Sequence, residues 1–490
     1  MDIGQAKQLF VDDYIIESHN GTVKKLNQPA KHPGNPVLPM VPQGQPSWEA
    51  GMPLCFSSVI FDEDEHVFKM WYSLWEPGKG DEASVLAYAT SEDGLEWHKP
   101  SLGIFEYRGT RENNILMDRE GCACGVLRDP HETDPDMRYK VLFQDASVQI
   151  GGAYSADGLH WVRYNDGKPV IPGGHDSQAI AYWDEHLGKY VAIIRDRTGK
   201  IKEVRKQLVT DEAARERWRR FWGGPKKDRS PENHSIRRVG QAESEDFVHW
   251  GPDRCIVGPD SEDLLNRDQF YNMEVMQYEG LRIGLMTVFS YDPDYCRGAV
   301  QLVYSRDGMH WSREDNRATF LSPSDRPGDF DWGSIYPVQC PLVVGDEIWI
   351  YYHACNCDHS LDLPDGVAQL WGGIGLAKLR LDGFVSVEAG AEDGMLTTRS
   401  FTFEGNRLAI NAEATSGYVT VEILDPKGEA IEDFSSDDCD PLTADEIRHT
   451  VSWNGGTGLE SLEGRSVKLK FHLRGARLFS FRFEDEGNVR

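Results

Sequence analysis

Four acidic residues of this 490-residue chain recur at one position of a repeated pattern, just ahead of a short apolar segment. They are Glu49, Glu120, Asp176 and Asp331. Two carboxyl groups in one pocket can divide the work of acid/base catalysis, because one protonates a leaving oxygen while the other attacks or activates water. These residue types therefore predict acid/base chemistry, provided that the fold brings them together.

The element that must position these acids is a seven-residue motif that occurs four times. Ser and Asp side chains hydrogen-bond their own backbone, Gly adopts a positive φ, and a closing Trp packs back onto the turn. Each copy predicts a hairpin turn between two strands. A shorter, incomplete fifth copy follows. A motif that recurs at such long intervals indicates a propeller, here of five blades. The copies are 91–97, 155–161, 244–250, 305–311 and 381–384.

Between the turns the chain alternates short aromatic and β-branched segments with Gly, Asp and Pro, which is typical of an all-β protein. Aligning the blades on their hairpins places Asp62, Asp129 and Asp184 together at the far ends of the innermost strands. Asp129 stands in Arg128-Asp129-Pro130, but this register predicts a turn residue that accepts local backbone hydrogen bonds.

Three regions follow from where the repeat starts and stops. Residues 1–45 are predicted to supply one strand, 9–16, and a lead-in that packs on the propeller. Residues 46–391 are the five-bladed β-propeller, with a helical insertion at 198–238 that could be a lid or a solvated surface helix. Residues 392–490 alternate short strands and turns, which predicts a C-terminal β-sandwich.

The formal charge of −28 argues against nucleic acid and against an anionic membrane surface as partners. No apolar run is long enough to span a membrane. No secretory signal is visible, which favours the cytoplasm, although a secreted chain with its leader removed would look the same. The sequence leaves open whether the chain forms a homo-oligomer.

Cysteine and histidine cluster in His353-Ala-Cys-Asn-Cys-Asp-His359, and Cys122-Ala-Cys124 lies in the second repeat. Thiolate and imidazole could bind zinc, but two alternating thiols on one strand are more often buried small apolar groups. We therefore expect no metal and no cofactor here, with a structural divalent cation in the funnel left open.

The repeated turn and the predicted sandwich resemble the glycoside hydrolase superfamily of families 32, 43, 68, 117 and 130. The likeness is closest to bacterial family-32-like propeller proteins that open with Leu-Phe-Val-Asp-Asp-Tyr, here 9–14, and carry second strands like 68–72. The resemblance implies a funnel that cleaves a terminal sugar from a carbohydrate substrate, with catalytic acids on different blades. The chain lacks the Asn-Asp-Pro-Asn and Glu-Cys motifs of family 32, which argues against a simple fructosidase.

The resemblance and the register together imply the residues that line the funnel. Beside the four acids, they assign substrate binding to Trp48, Arg119, His175, Gln178, Asp268, Tyr271, Glu274, Trp332, Tyr336 and His353. Trp75 and Trp371 are further stacking candidates, as Arg195 is for an anionic substituent. A glycoside phosphorylase and a non-catalytic carbohydrate-binding propeller remain as alternatives to a hydrolase.

Overall fold

The computed structural model describes residues 1–75, 84–118, 122–145, 149–175, 179–196, 237–260, 263, 268–291, 295–313, 316–339, 341–359 and 361–485. Regular structure in these ranges is almost entirely strand, so the predicted all-β class is confirmed. Two short 3-10 turns, Pro135–Met137 and Asn165–Gly167, interrupt it. In this part of the chain, no helix has the length and apolar character needed to cross a membrane. The predicted insertion at 198–238 lies outside these ranges, apart from its last two residues.

The first three repeats each form one four-stranded antiparallel sheet. Each is a meander, with strands paired in chain order. Their middle strands are buried and rich in aromatic and β-branched residues, as a sheet covered on both faces requires. The strands are Leu54–Asp62, Val67–Trp75, Ser84–Ser91 and Ile115–Asp118; Cys122–Arg128, Tyr139–Gln144, Ile150–Ser155 and Val162–Arg163; and Ile180–Asp184, Lys189–Asp196, Arg238–Ser244 and Arg254–Val257.

The fourth and fifth repeats form two further meanders that one parallel pair, Gly298 with Ser334, joins into a single sheet. The fifth takes its outer strands from the N-terminal segment, which pairs with the strand 372–380. The fourth meander contains Gln269–Tyr278, Leu281–Tyr291, Cys296–Ser305, Ser312–Arg313 and Thr319–Leu321. The fifth contains Ser334–Pro337, Leu342–Val344, Glu347–Cys355, Gly372–Arg380, Ala30–Lys31 and Leu38–Pro39.

The first strands of the repeats, called the leading strands here, meet one another directly. The Ser58 hydroxyl accepts the Val126 N–H at 2.9 Å and donates to Gln339 Oε1 at 3.3 Å. The Gln339 amide also donates to the Ala181 carbonyl at 3.3 Å. A Cβ on Gly125 would lie 2.5 Å from the Ala179 carbonyl, so glycine is needed for this approach. Leading strands from four separate repeats therefore converge.

The repeated motif forms the predicted turn. In the last full copy the Ser305 hydroxyl donates to Asp307, and the Gly308 N–H donates back to that hydroxyl at 2.9 Å. Asp307 also accepts the backbone N–H groups of residues 309 and 310. Gly308 has a φ of 73°, and in the third copy Phe247 adopts 67° without glycine. The local prediction is confirmed.

Buried aspartates end the leading strands, as the hairpin register predicted. Asp129 accepts the His131 N–H at 2.9 Å, which confirms its role as a turn residue. It also accepts from Lys140 of its own sheet and from Tyr190 of the next. Asp62 repeats this pattern with Lys69 at 2.8 Å and Tyr139 at 2.7 Å. Asp184 instead pairs with Arg282 of the fourth repeat. We call this edge of the sheets the turn end.

Two sheets beyond the repeats enclose one hydrophobic core, which includes Leu408, Phe471 and Phe481. The chain enters this core earlier than expected, since 385–389 already belongs to one of the sheets. The six-stranded sheet contains Asp445–Thr450, Arg407–Glu413, Ala476–Glu484, Val385–Ala389, Val23–Leu26 and Gln8–Leu9. The four-stranded sheet contains Ile16–Asn20, Gly394–Thr398, Lys468–Arg474 and Tyr418–Leu424. The short strand Asp2–Gly4 pairs with Thr402–Phe403.

The N-terminal segment divides its pairing differently from the prediction. Residues 1–26 pair with strands of the C-terminal sheets, and only 30–31 and 38–39 pair with the fifth repeat. The predicted single strand 9–16 is wrong. Asp12 accepts the Tyr14 N–H at 3.2 Å, so the chain turns there between two short strands.

The incomplete fifth copy of the turn, 381–384, joins the N-terminal segment, the repeats and the C-terminal sheets. Asp382 has a φ of 62° and is buried. Its carboxylate accepts from Lys7 at 3.0 Å, from Tyr278 of the fourth repeat at 2.5 Å and from Ser480 of the six-stranded sheet at 2.6 Å. One carboxylate therefore contacts the N-terminal segment, the repeats and the C-terminal sheets.

Candidate functional site

Aromatic rings and imidazoles gather at the starts of the leading strands, opposite the turn end. Tyr271 lies between Phe56 and Tyr336, with ring centroids 6.1 and 5.2 Å away. Tyr336 stacks on His353 at 5.3 Å, and its hydroxyl lies 3.3 Å from His359 Nδ1. With Phe289, Arg195 and Arg237, these residues form what we call the mouth cluster. It combines side chains from the first, third, fourth and fifth repeats.

Two guanidinium groups flank the mouth cluster. The Arg195 guanidinium lies 4.3 Å from the centroid of Tyr271 and donates to the carbonyl of that residue at 3.1 Å. The guanidinium of Arg237 is 5.9 Å from the same ring. His175 Nδ1 lies 2.9 Å from the Arg195 carbonyl, which connects this predicted residue to the cluster. Cation–π contacts therefore hold positive charge against the rings of the mouth cluster, of which Tyr271 is half-buried and Phe56, Phe289 and Tyr336 are buried.

The imidazoles of the mouth cluster are neutral near pH 7. Burial lowers the pKa of His353 to about 4, although a backbone contact with Leu54 opposes the change. Burial, together with the positive charges of Arg237 and Arg195, lowers the pKa of His359 well below its usual value. A neutral imidazole can donate one hydrogen bond and accept another. His353 Nδ1 has no partner among the described residues, so it can accept or donate a further bond.

Glu274 lies deeper in the fourth leading strand. Its side chain is fully buried, and burial raises the pKa of this carboxyl well above its usual value, despite a hydrogen bond from Asn272 at 3.1 Å. The second oxygen, Oε2, has no hydrogen-bond partner among the described residues. A neutral acid in this position can donate a proton or hold a buried water molecule.

Two predicted catalytic acids are held in ion pairs away from the contacts of the mouth cluster. Glu49 is buried and accepts from Lys99 at 2.6 Å. Its neighbour Trp48 packs edge-on against Tyr107 at 5.8 Å. These contacts place both residues beside the outer segment of the first repeat.

Asp331, the other such acid, accepts from Lys31 at 2.5 Å and from the Tyr352 hydroxyl at 3.3 Å. This pair links the fifth repeat to the N-terminal strand that completes it. The Arg297 guanidinium lies 4.9 Å from the ring centroid of Trp332. The ring centroids of Trp332 and Tyr295 are 5.0 Å apart. These contacts join both residues to partners outside the mouth cluster.

The remaining predicted residues lie at or beyond the edges of the described ranges. Asp268 directly precedes the fourth leading strand and donates its N–H to the Asp263 carbonyl at 2.7 Å. Arg119, Glu120, Asp176 and Gln178 lie outside the described residues, so their assignment stays a prediction. The described His175 and Ala179 bracket two of them.

The Cys355 and Cys357 sulfur atoms lie 3.1 Å apart beside the mouth cluster. Among the described residues, no group of three or more His, Cys, Asp or Glu side chains is arranged to hold a metal ion. Zinc binding by this motif therefore gains no support from the described part of the chain.

The sequence did not point to four members of the mouth cluster, which are Phe56, Phe289, His359 and Arg237. His359 could have been found, because it closes the motif that begins at His353. Arg237 was assigned to the end of an insertion, although it directly precedes the strand 238–244. Nothing in the local pattern marks the two phenylalanines as different from core residues.

No family model matches the chain. Two uncharacterised proteins of Mycobacterium tuberculosis are 27% and 29% identical over 127 residues, which is 24% of this chain. The match spans 38% of the length of each of these relatives.

Solved structures similar to this one include carbohydrate-active enzymes. One is called a glycoside hydrolase, with a TM-score of 0.46, 13% identity, and coverage of 72% of this chain and 92% of that one. A β-1,2-mannobiose phosphorylase from Listeria innocua has a TM-score of 0.46, 11% identity and coverage of 72% and 96%. A thermostable family-43 glycoside hydrolase has a TM-score of 0.44 and 14% identity, and the match covers 72% of this chain and 95% of that one. At these scores an activity has to be argued from the residues themselves.

Proposed function

We propose that this chain is a carbohydrate-active enzyme that cleaves a terminal glycosidic bond at the mouth cluster. The repeats would be the blades of a five-bladed propeller, spanning 46–391, and the two further sheets a C-terminal sandwich. The observation that carries the proposal is the convergence of Tyr271, Tyr336, His353 and His359 at the starts of the leading strands. Aromatic faces beside neutral hydrogen-bonding groups suit the apolar face and hydroxyl rim of a sugar.

The proposed mechanism is hydrolysis by a pair of carboxyl groups, one acting as acid and the other as base or nucleophile. Asp176 is the first choice, because the adjacent His175 contacts the backbone of Arg195. Glu120 is the second choice, since it precedes the neighbouring leading strand 122–128. Glu49 and Asp331 are better suited to stabilising the fold, because each is buried with a lysine partner.

A glycoside phosphorylase is the second candidate, and the two guanidinium groups beside Tyr271 favour it. Arginine binds phosphate oxygens well, and Arg195 and Arg237 both lie against one ring of the mouth cluster. Beside burial, their charges also lower the pKa of His359, which supports an anion-binding role for this site in a chain of net charge −28.

Product analysis with a panel of disaccharides and aryl glycosides, with and without inorganic phosphate, tests the proposal. A hydrolase releases free sugar in either condition, whereas a phosphorylase gives sugar 1-phosphate and needs phosphate. Asp176→Asn should abolish turnover and leave sugar binding in place, while the control Asp253→Asn, an exposed residue, should not affect either. Binding without turnover by the unaltered protein would contradict catalysis and favour a binding propeller.

A further inference from the structure

Cys355 and Cys357 are already arranged for disulfide formation. Their sulfur atoms lie 3.1 Å apart, about 1 Å beyond a disulfide bond of about 2.05 Å. Cys355 ends the strand 347–355, where it pairs with Ser334 and Gly372 on either side. Cys357 follows in the bend after this strand. Closing the bond therefore requires the two sulfur atoms to approach each other by about 1 Å.

Hydrogen bonds on both sides fix the backbone around the pair. Asn356 donates its N–H to the Trp371 carbonyl at 2.8 Å and accepts the N–H of that residue at 2.8 Å. The Cys355 carbonyl accepts the Gly333 N–H at 2.9 Å. A Cβ on Gly333 would lie 1.6 Å from the Cys357 carbonyl, so the bend packs directly onto this glycine. The short distance between the thiols is thus built into the fold.

The pKa values of the two thiols are shifted in opposite directions. A hydrogen bond from Cys357 lowers the pKa of Cys355, although burial opposes this effect. The pKa of Cys357 is raised by the same hydrogen bond and by burial. Cys355 is partly exposed, whereas Cys357 is buried. A thiol with a lowered pKa on a partly exposed residue is the better candidate to react with an external disulfide or peroxide.

We propose that Cys355 and Cys357 form a redox-active dithiol, in which Cys355 attacks a small-molecule disulfide and Cys357 resolves the product. The proposal does not depend on the function proposed above.

The exchange balances in two steps. The Cys355 thiolate attacks one sulfur of glutathione disulfide, which forms a mixed disulfide and releases one glutathione thiolate. Cys357, on losing its proton, then attacks Cys355 Sγ. The Cys355–Cys357 disulfide forms, and the second glutathione leaves as a thiolate. The protein loses two electrons and two protons, and glutathione disulfide is reduced to two glutathione molecules.

The closeness of the pair in sequence makes this a reversible site and not a structural crosslink. A disulfide stabilises a fold mainly by restricting the unfolded chain, and this effect is smallest for a very short loop. Short and strained disulfides are accordingly the ones that exchange readily. The bond should open again in excess reduced glutathione.

The test is mass spectrometry of the intact protein equilibrated in glutathione buffers and then digested before aspartate. Cleavage before Asp346 and Asp358 releases the peptide 346–357, whose only cysteines are the two in question. With rising glutathione disulfide, this peptide should become lighter by two hydrogen atoms, and reduced glutathione should reverse the change.

Two isosteric variants assign the roles. Cys357→Ser should accumulate a glutathione adduct on the peptide, because the resolving thiol is absent, whereas Cys355→Ser should form little adduct. The control Cys255→Ser removes an exposed thiol elsewhere and should not alter the peptide. A peptide that stays a dithiol where Cys255 is modified would overturn the proposal, as would an adduct on Cys355→Ser and not on Cys357→Ser.

Discussion

The buried carboxylates at the turn end and two buried polar groups on the mouth side differ in how they are paired. At the turn end, Asp62, Asp129 and Asp184 are buried and each accepts from a cation and from nearby backbone N–H groups. Although burial opposes it, hydrogen bonds from Lys69 and Tyr139 hold the pKa of Asp62 below its usual value. At the mouth, His353 Nδ1 has no partner among the described residues, and neither does Oε2 of Glu274 deeper along the fourth leading strand.

We relate this difference in pairing to stability and to the proposed function. A buried polar group with all its partners holds neighbouring sheets in register, and removing one partner leaves a costly buried charge. A buried group without a partner costs free energy in the folded state and is retained where it is available to a ligand or a reaction. We therefore expect the carboxylates of the turn end to stabilise the fold, and we propose the mouth end as the place for chemistry.

Asp129→Ala should produce the largest effect. The substitution removes one of the two carboxylates that pair with the buried Lys140, which keeps only Glu132, and it also removes the acceptor of the Tyr190 hydroxyl. We expect a loss of about 3 kcal/mol in the free energy of unfolding, the lower end of the range for a broken buried ion pair. Urea denaturation measures this loss. Asp253→Ala, an exposed control, should stay within about 0.5 kcal/mol of the parent protein. If Asp129→Ala kept full stability but lost turnover, the turn end would belong to the active site.

His353→Phe should remove an acid-dependent loss of stability. The pKa of His353 is about 4 in the folded chain against an ordinary value of 6.5, so the unfolded chain takes up the proton first as the pH falls. Stability is therefore lost between pH 6.5 and pH 4, by about 3 kcal/mol in total.

The phenylalanine ring can keep the stacking on Tyr336, so the variant should retain this packing. It should lose the part of the pH dependence of stability that His353 causes. Urea denaturation across the window measures the difference between the two proteins. Parallel curves would mean that His353 is not a buried neutral imidazole.

Glu274→Gln tests the same idea with the opposite sign. The folded pKa of this carboxyl is raised above the unfolded value near 4.5, so the folded chain holds the proton longer as the pH rises. The parent protein should lose stability relative to the variant above pH 4.5, by up to about 1.4 kcal/mol per pH unit until the folded group ionises. Equal slopes in the two proteins would show that Glu274 is not buried as a neutral acid.

Ser305→Ala should have the smallest effect, because it removes only the hydroxyl that bonds Asp307 and Gly308 in one repeated turn. We expect a loss of about 1 kcal/mol in the free energy of unfolding, with no change in sugar binding. Thermal denaturation and a binding assay measure the two quantities. A change in sugar binding would connect the turn end to the site.

The sequence predicted those features that depend on local chemistry. The repeated turns and the role of Asp129 follow from hydrogen bonds within a few residues. The pairing of residues 1–26 with the C-terminal sheets could not be predicted, because the partners lie more than 350 residues away along the chain.

The mouth cluster was predicted only in part for a similar reason. Tyr271, Tyr336 and His353 stand at strand positions that the repeat register identifies. Phe56 and Phe289 join them through packing across separate repeats, which no local pattern encodes. The ion pairs of Glu49 and Asp331 likewise depend on lysines from distant segments.

The most direct test is a crystal structure of the protein soaked with a disaccharide that the activity panel identifies. We predict density for a sugar ring against Tyr271, the half-buried ring of the mouth cluster, with hydroxyl groups within hydrogen-bond distance of His353 or Arg195. Sugar bound only at the turn end, or at the contact around Asp382, would contradict the central claim.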